Sequence, residues 1–149
     1  MSPGPDVADA LRAALTAARK AHDKARTLVL GTILANLKNR EIELRRPATN
    51  DDVLEVLQKG IKTRRESAEQ YGAANRPELA AVEQAQIRVL EEFLPPAADP
   101  QEIRAAVRAA IAGGAKDVGK VMGQVLPKFK GRAEGRVVNQ IVREELQAG

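Results

Sequence analysis

Lys128, Lys130 and Arg132 alternate along a short turn bracketed by Pro127 and Gly131, just ahead of a helix start. Cations spaced this way suit a phosphate, and free backbone N–H groups at the helix start add to the attraction. Lys116 and Lys120 precede the turn and Arg136 follows it, so six basic residues stand against Asp117 and Glu134 between positions 116 and 136. Residues 1–99 carry 15 basic and 15 acidic side chains, whereas residues 100–149 carry 9 and 5, so the whole formal charge of +4 lies in the last third. A surplus confined in this way points to an anionic partner, and nucleic-acid backbone is the commonest one. The competing reading is a solvated surface with no partner, because such clusters are frequent on exposed helices.

Residue types exclude much chemistry. The chain of 149 residues has no Cys, one His (His22) and two Ser (Ser2 and Ser67). Thiolate catalysis, cysteine-held metals, disulfides and a Ser-His triad therefore have nothing to draw on. Asp51-Asp52 and Glu91-Glu92 are adjacent pairs that diverge on a helix, unlike a positioned acid–base couple. Gly119-Lys120 lacks the preceding strand and glycine spacing of a phosphate loop. No catalytic residue, cofactor or metal is expected.

Other features read as structure. Lys59, Lys62, Arg64 and Arg65 form a second basic run, but Glu55 precedes Lys59, and Glu69 follows Arg65, by four residues. This run reads as paired charges on an exposed helix. Gly119 and Gly123 share a helix face, expected to pack against another helix. His22 is expected at a helix end and Tyr71 in packing.

These residues need helices to carry them. With aromatics limited to Tyr71, Phe93 and Phe129, any core must come from Leu, Ile, Val and Ala, and no stretch alternates like a strand. The periodicity predicts helices over about 7–22, 24–44, 50–73 and 77–93, with Leu11 and Leu15, then Leu30, Ile33 and Leu37, then Val53, Leu57 and Ile61 inward. In the fourth, Leu79, Val82, Gln86, Leu90 and Phe93 keep the spacing. Thr49 is an N-cap with acidic residues in the first turn behind it. Pro95, Pro96 and Pro100 mark a hinge. Beyond it, Asp99 caps a fifth helix with Glu102 completing a capping box, and further helices span about 116–126 and 133–147. The expected fold is all-α in two helical domains, four helices over 1–94 and three over 95–149. No apolar run approaches the ~20 residues that span a bilayer, and Met1–Asp6 has no leader-like stretch. A soluble, cytoplasmic, bacterial-type protein without membrane association is expected.

Several separated strings carry a family resemblance. From Lys120 the chain reads KVMGQVLPKFKGRAEGRVVNQIVREEL, preceded by Asp117-Val118-Gly119. Lys38-Asn39-Arg40-Glu41-Ile42, Arg65-Glu66-Ser67 with Tyr71, Pro77-Glu78-Leu79-Ala80 with Glu83, and Phe93-Leu94-Pro95 occur in order. Together, from about Leu11 to Leu146, they resemble the YqeY-like, or GatB/YqeY domain, proteins. Val29 departs from the pattern, standing where relatives are expected to have a basic residue. The resemblance implies two all-helical domains. It also implies a C-terminal domain similar to the tail of GatB, a subunit of the glutamine-dependent amidotransferase that acts on mischarged tRNA. That tail engages tRNA rather than performing chemistry. The family label, carbon–nitrogen ligase with glutamine as amido donor, belongs by resemblance to the larger enzyme, whose ATP-using domain would not fit in this chain. The function this implies is a non-catalytic module. It binds tRNA or another folded RNA through Lys116, Lys120, Lys128, Lys130, Arg132 and Arg136, with Arg132 foremost. The alternative is a protein partner of an amidotransferase or another translation-related protein.

Overall fold

The structure, a computed structural model, describes residues 6–149. The expectation about a leader falls almost wholly on residues 1–5, outside the described residues. The described residues form seven α-helices and one short 3-10 turn, with no strand. The all-α class follows from the helical spacing of the aliphatic residues. The chain divides into two compact units, one ending at Leu94 and the other running Pro95–Gly149.

The first unit holds α1 (Val7–Lys20), α2 (Lys24–Leu44), α3 (Asn50–Ala73) and α4 (Pro77–Glu91). Its core is aliphatic: Leu11 and Leu15 from α1, Leu30, Ile33 and Leu37 from α2, Val53, Leu57 and Ile61 from α3, Ile87 and Leu90 from α4. Val29 is buried too, so the position that departs from the family pattern is a core position here. On α4 the inward stripe is rotated from the expected one. Val82 is 53% exposed, while Ile87 and Leu90 are buried, with Glu83 and Gln86 half-buried beside them. The spacing of Leu79 and Val82 is helical, but α3 covers the neighbouring face.

Helix ends explain most boundary differences. α1 stops at Lys20, two residues early, because His22 takes a left-handed φ of 56° and the Asp23 N–H donates to Ala18 O at 2.9 Å. Asn75 closes α3 in the same way, at φ 59° with Arg76 N–H donating to Tyr71 O, and Gly114 does so after α5. This 6→1 closure satisfies orphan carbonyls and turns the chain sharply. α4 loosens after Glu91 into i→i+3 bonds at Phe93 and Leu94, as expected ahead of Pro95.

The second unit holds α5 (Pro100–Ala112), α6 (Val118–Val125), a 3-10 turn (Leu126–Phe129) and α7 (Gly135–Ala148). Ile103, Val107, Val121, Val125, Phe129, Val138, Ile141 and Val142 form its core. α6 is shorter than expected. Asp117 caps it by accepting the Lys120 N–H at 2.8 Å, and Pro127, with no N–H to give, tightens its end to 3-10. Asp99 caps α5 through the Gln101 N–H at 2.8 Å, but Glu102 does not complete a box, its carboxylate being turned to Arg132.

The capping box forms instead at α3. Asp52 is 8% exposed, and its Oδ2 accepts the Thr49 N–H at 2.9 Å and an Arg46 Nη1–H at 2.7 Å, while Thr49 Oγ1 accepts the Asp52 N–H at 3.3 Å. Arg46 first, then the Thr49 N–H, hold the Asp52 carboxyl far below the usual carboxylate range. A carboxyl lowered on folding stabilises the native state above its unfolded pKa and loses that contribution as pH falls through the folded value. Asp52→Asn should therefore lower Tm at pH 7, and the gap from wild type should narrow below about pH 4, as thermal melts across pH will show. Thr49→Ala should cost about 1 kcal/mol.

Candidate nucleic-acid interface

All six basic residues singled out in the sequence lie in the second unit, on or beside α6, in the turn after it and in the first turn of α7. Lys116 is exposed just ahead of α6. Lys120 is 74% exposed, with Nζ 4.0 Å from Asp117 Oδ2. Lys128 is exposed on the 3-10 turn and Lys130, just after it, is half-buried. Arg136 donates from Nε to Glu134 Oε2 at 3.1 Å. Glu134 is the N-cap of α7 and makes no side-chain capping hydrogen bond. A carboxylate therefore stands at the helix start that the sequence offers to phosphate.

Arg132 differs from the others. Its Nη1 and Nη2 donate to Glu102 Oε1 and Oε2 at 3.1 and 2.9 Å, a fork-to-fork pair. Its guanidinium carbon lies 5.9 Å from the Phe129 ring centre, within cation–π reach. Its carbonyl accepts the Ala98 N–H at 2.8 Å. Side chain and backbone thus stitch the turn before α7 to the start of α5 and to the segment leading into it. The Glu102 hydrogen bond raises the Arg132 pKa, and the same contact lowers that of Glu102.

The other carboxylates of residues 100–149 are similarly engaged. Arg104 Nη2 donates to Glu144 Oε2 at 2.8 Å and Arg108 Nε to Glu145 Oε1, tying α5 to α7. With Asp117 beside Lys120 and Glu134 beside Arg136, all five acidic side chains of this stretch face a basic one. Lys116 and Lys128 are exposed and outside these pairs. Arg143, not singled out in the sequence, is exposed and donates from Nε to Asn139 Oδ1 at 2.8 Å. The signal for it was available in the unit's charge count, but its isolation from the 116–136 cluster hid it.

The expectation that Gly119 and Gly123 pack against a helix is not met. Both are exposed, and a Cβ at Gly123 would meet nothing within 4 Å. The stripe that packs from α6 is Val121 and Val125, two residues on and therefore on the opposite side of the helix.

A protein-family model described as Yqey-like protein matches residues 8–146, and the chain belongs to that family. It is 49% identical over 51 residues to an uncharacterized protein of Schizosaccharomyces pombe, a stretch covering 34% of this chain and 42% of the relative.

Gly123→Ala should raise Tm, since an exposed helix-interior glycine costs roughly 0.5–1 kcal/mol relative to alanine. A fall would place another surface against that face. Glu102→Gln should lower the melting temperature at pH 7. Because the Glu102 pKa is depressed on folding, the difference should shrink once pH drops below about 4, measured by calorimetry on both proteins.

Proposed function

We propose, with membership of the YqeY-like family as the premise, that the C-terminal unit docks on folded RNA, tRNA in the first instance, and performs no chemistry of its own. One observation carries the reading. The five carboxylates of residues 100–149 are matched by five basic side chains, and the surplus includes the exposed Lys116 and Lys128. Exposed ion pairs such as Lys120–Asp117 are weak and exchangeable, so Lys120 and Arg136 can turn to phosphate. Folded RNA is read largely by shape and backbone, which suits a cationic surface in a unit whose single aromatic, Phe129, is buried. The resemblance to the tail of GatB supports the same reading. On it, the family's ligase label with glutamine as amido donor describes the larger enzyme.

The roles within the basic set are unequal. Lys116 and Lys128 make the leading phosphate contacts, with Lys120, Lys130 and Arg136 joining them. Arg132 can contribute only by sharing or surrendering Glu102. A second reading, a contact with an amidotransferase or another translation-related protein and not with RNA, is favoured by the exposed Gly119 and Gly123 surface.

Fluorescence anisotropy of bulk tRNA across a salt series tests the first reading. Affinity should fall steeply with salt. A Lys116→Glu/Lys128→Glu protein should bind at least tenfold more weakly with unchanged helicity. Glu102→Gln should bind more tightly, because it releases Arg132 and removes a carboxylate. Equal affinities for wild type and the double variant would overturn the assignment, and no binding at low salt would favour the protein partner.

A further inference from the structure

The N-terminal unit contains a cleft of about 780 Å³ between α2, α3 and α4. The RNA reading does not use it. Arg64, a member of the run read from sequence as paired charges on an exposed helix, lines it. The side chain is instead half-buried, with Nε donating to Gln86 Oε1 at 2.8 Å and Nη1 to the Gly60 carbonyl at 3.0 Å. Both acceptors are neutral. They fix the guanidinium in direction without answering its charge, and loss of water around it lowers its pKa.

A carboxylate is near but does not close on it. Glu83, half-buried on α4, acts on Arg64 through space, yet the two form no ion pair. Opposite charges that share a cleft and are held apart leave a gap that a molecule bearing both signs would bridge. Asn36, Asn39 and Ser67 contribute amides and a hydroxyl to the wall around them, and Val56 an apolar side chain. Gly60 also lines the cleft, where α3 packs tightly on the core. A Cβ there would lie 2.7 Å from Ile33 Cδ1 and 3.3 Å from Arg64 Nη1, so a side chain would displace the guanidinium or the core beneath it.

We propose that this cleft binds a small zwitterion of the amino-acid or dipeptide class, its carboxylate on Arg64 and its ammonium on Glu83. The amides and hydroxyl take the peptide or side-chain polar groups. Glu43, Glu55 and Glu83 line the cleft together with Arg40, Lys59 and Arg64, and Glu43 is paired with Arg40, so the lining has no net charge and suits a ligand bearing both signs. The bidentate fork left on Arg64 matches a carboxylate.

The test is titration of the full-length, 15N-labelled chain with glycylglycine, read at the Arg64 Nε–H resonance and the Gly60 amide. A saturable shift at both is expected. N-acetylglycine, which lacks the ammonium, and glycinamide, which lacks the carboxylate, should each bind at least tenfold more weakly, and inorganic phosphate should not compete. Arg64→Gln should abolish the shift at Gly60, and Glu83→Gln should weaken it at least tenfold. No saturable shift in the wild type overturns the proposal. So does equal binding of the three organic probes, or tighter binding of phosphate. Should Arg64→Gln fail to fold by circular dichroism, the wild-type titration and Glu83→Gln still decide. Binding of tRNA through the other unit is read separately and stands or falls alone.

Discussion

Close approach of aliphatic helices is the constraint on which each unit depends. Without tryptophan, and with only three aromatic residues, the chain fills its cores with side chains of modest reach such as Leu30, Ile33, Leu37, Leu57 and Leu90. Full burial of such a side chain contributes roughly 1.5–3 kcal/mol, but only where neighbours meet without voids. Ile33 shows the consequence, its Cδ1 packing so near the backbone of α3 that position 60 has no room for a Cβ. Sharp helix ends serve the same end. His22 and Asn75 accept left-handed backbone so that α1 and α3 reverse into their successors within a few residues. Asn tolerates that region better than most residues, and His less so.

Charge then organises what packing leaves at the surface. In residues 100–149 the acidic side chains are placed against basic ones on neighbouring elements, Glu144 and Glu145 against Arg104 and Arg108, and Glu102 against Arg132. These pairs fix which guanidinium groups are structural. Lys116 and Lys128 are exposed outside these pairs, each a strongly hydrated point charge on a flexible stem. In the N-terminal unit the logic reverses. Asp52 is buried and multiply bonded, whereas Arg64 and Glu83 are half-buried and left without each other. Burying a charge without a direct counterion is costly. A protein tolerates such a residue more readily where a ligand completes it.

The division of labour that emerges is a polar cleft in one unit and a basic surface in the other. The two differ in the ligand each can take. The cleft has direction, fixed hydrogen-bonding groups and both signs of charge, which are the means of discriminating a small molecule. The basic surface presents its charge on exposed side chains, an arrangement that on the proposed RNA reading meets a backbone and not individual bases.

Helical spacing and capping residue types determined the all-α class, the bounds of α2 and α3, the inward residues of α1, α2 and α3, and the N-caps at Thr49 and Asp99, because these follow from interactions within a few residues along the chain. Local charge counting likewise found the basic stretch and the family strings found the relatives. What it could not supply was the direction in which side chains meet across elements. That Glu102 turns from its own helix start to Arg132, that Val82 lies outward while Ile87 lies inward, that Gly119 and Gly123 face no helix, and that Arg64 enters a cleft beside Glu83 are each settled by a residue distant in sequence. Such choices depend on which face a neighbouring helix covers, and only the packed structure fixes that.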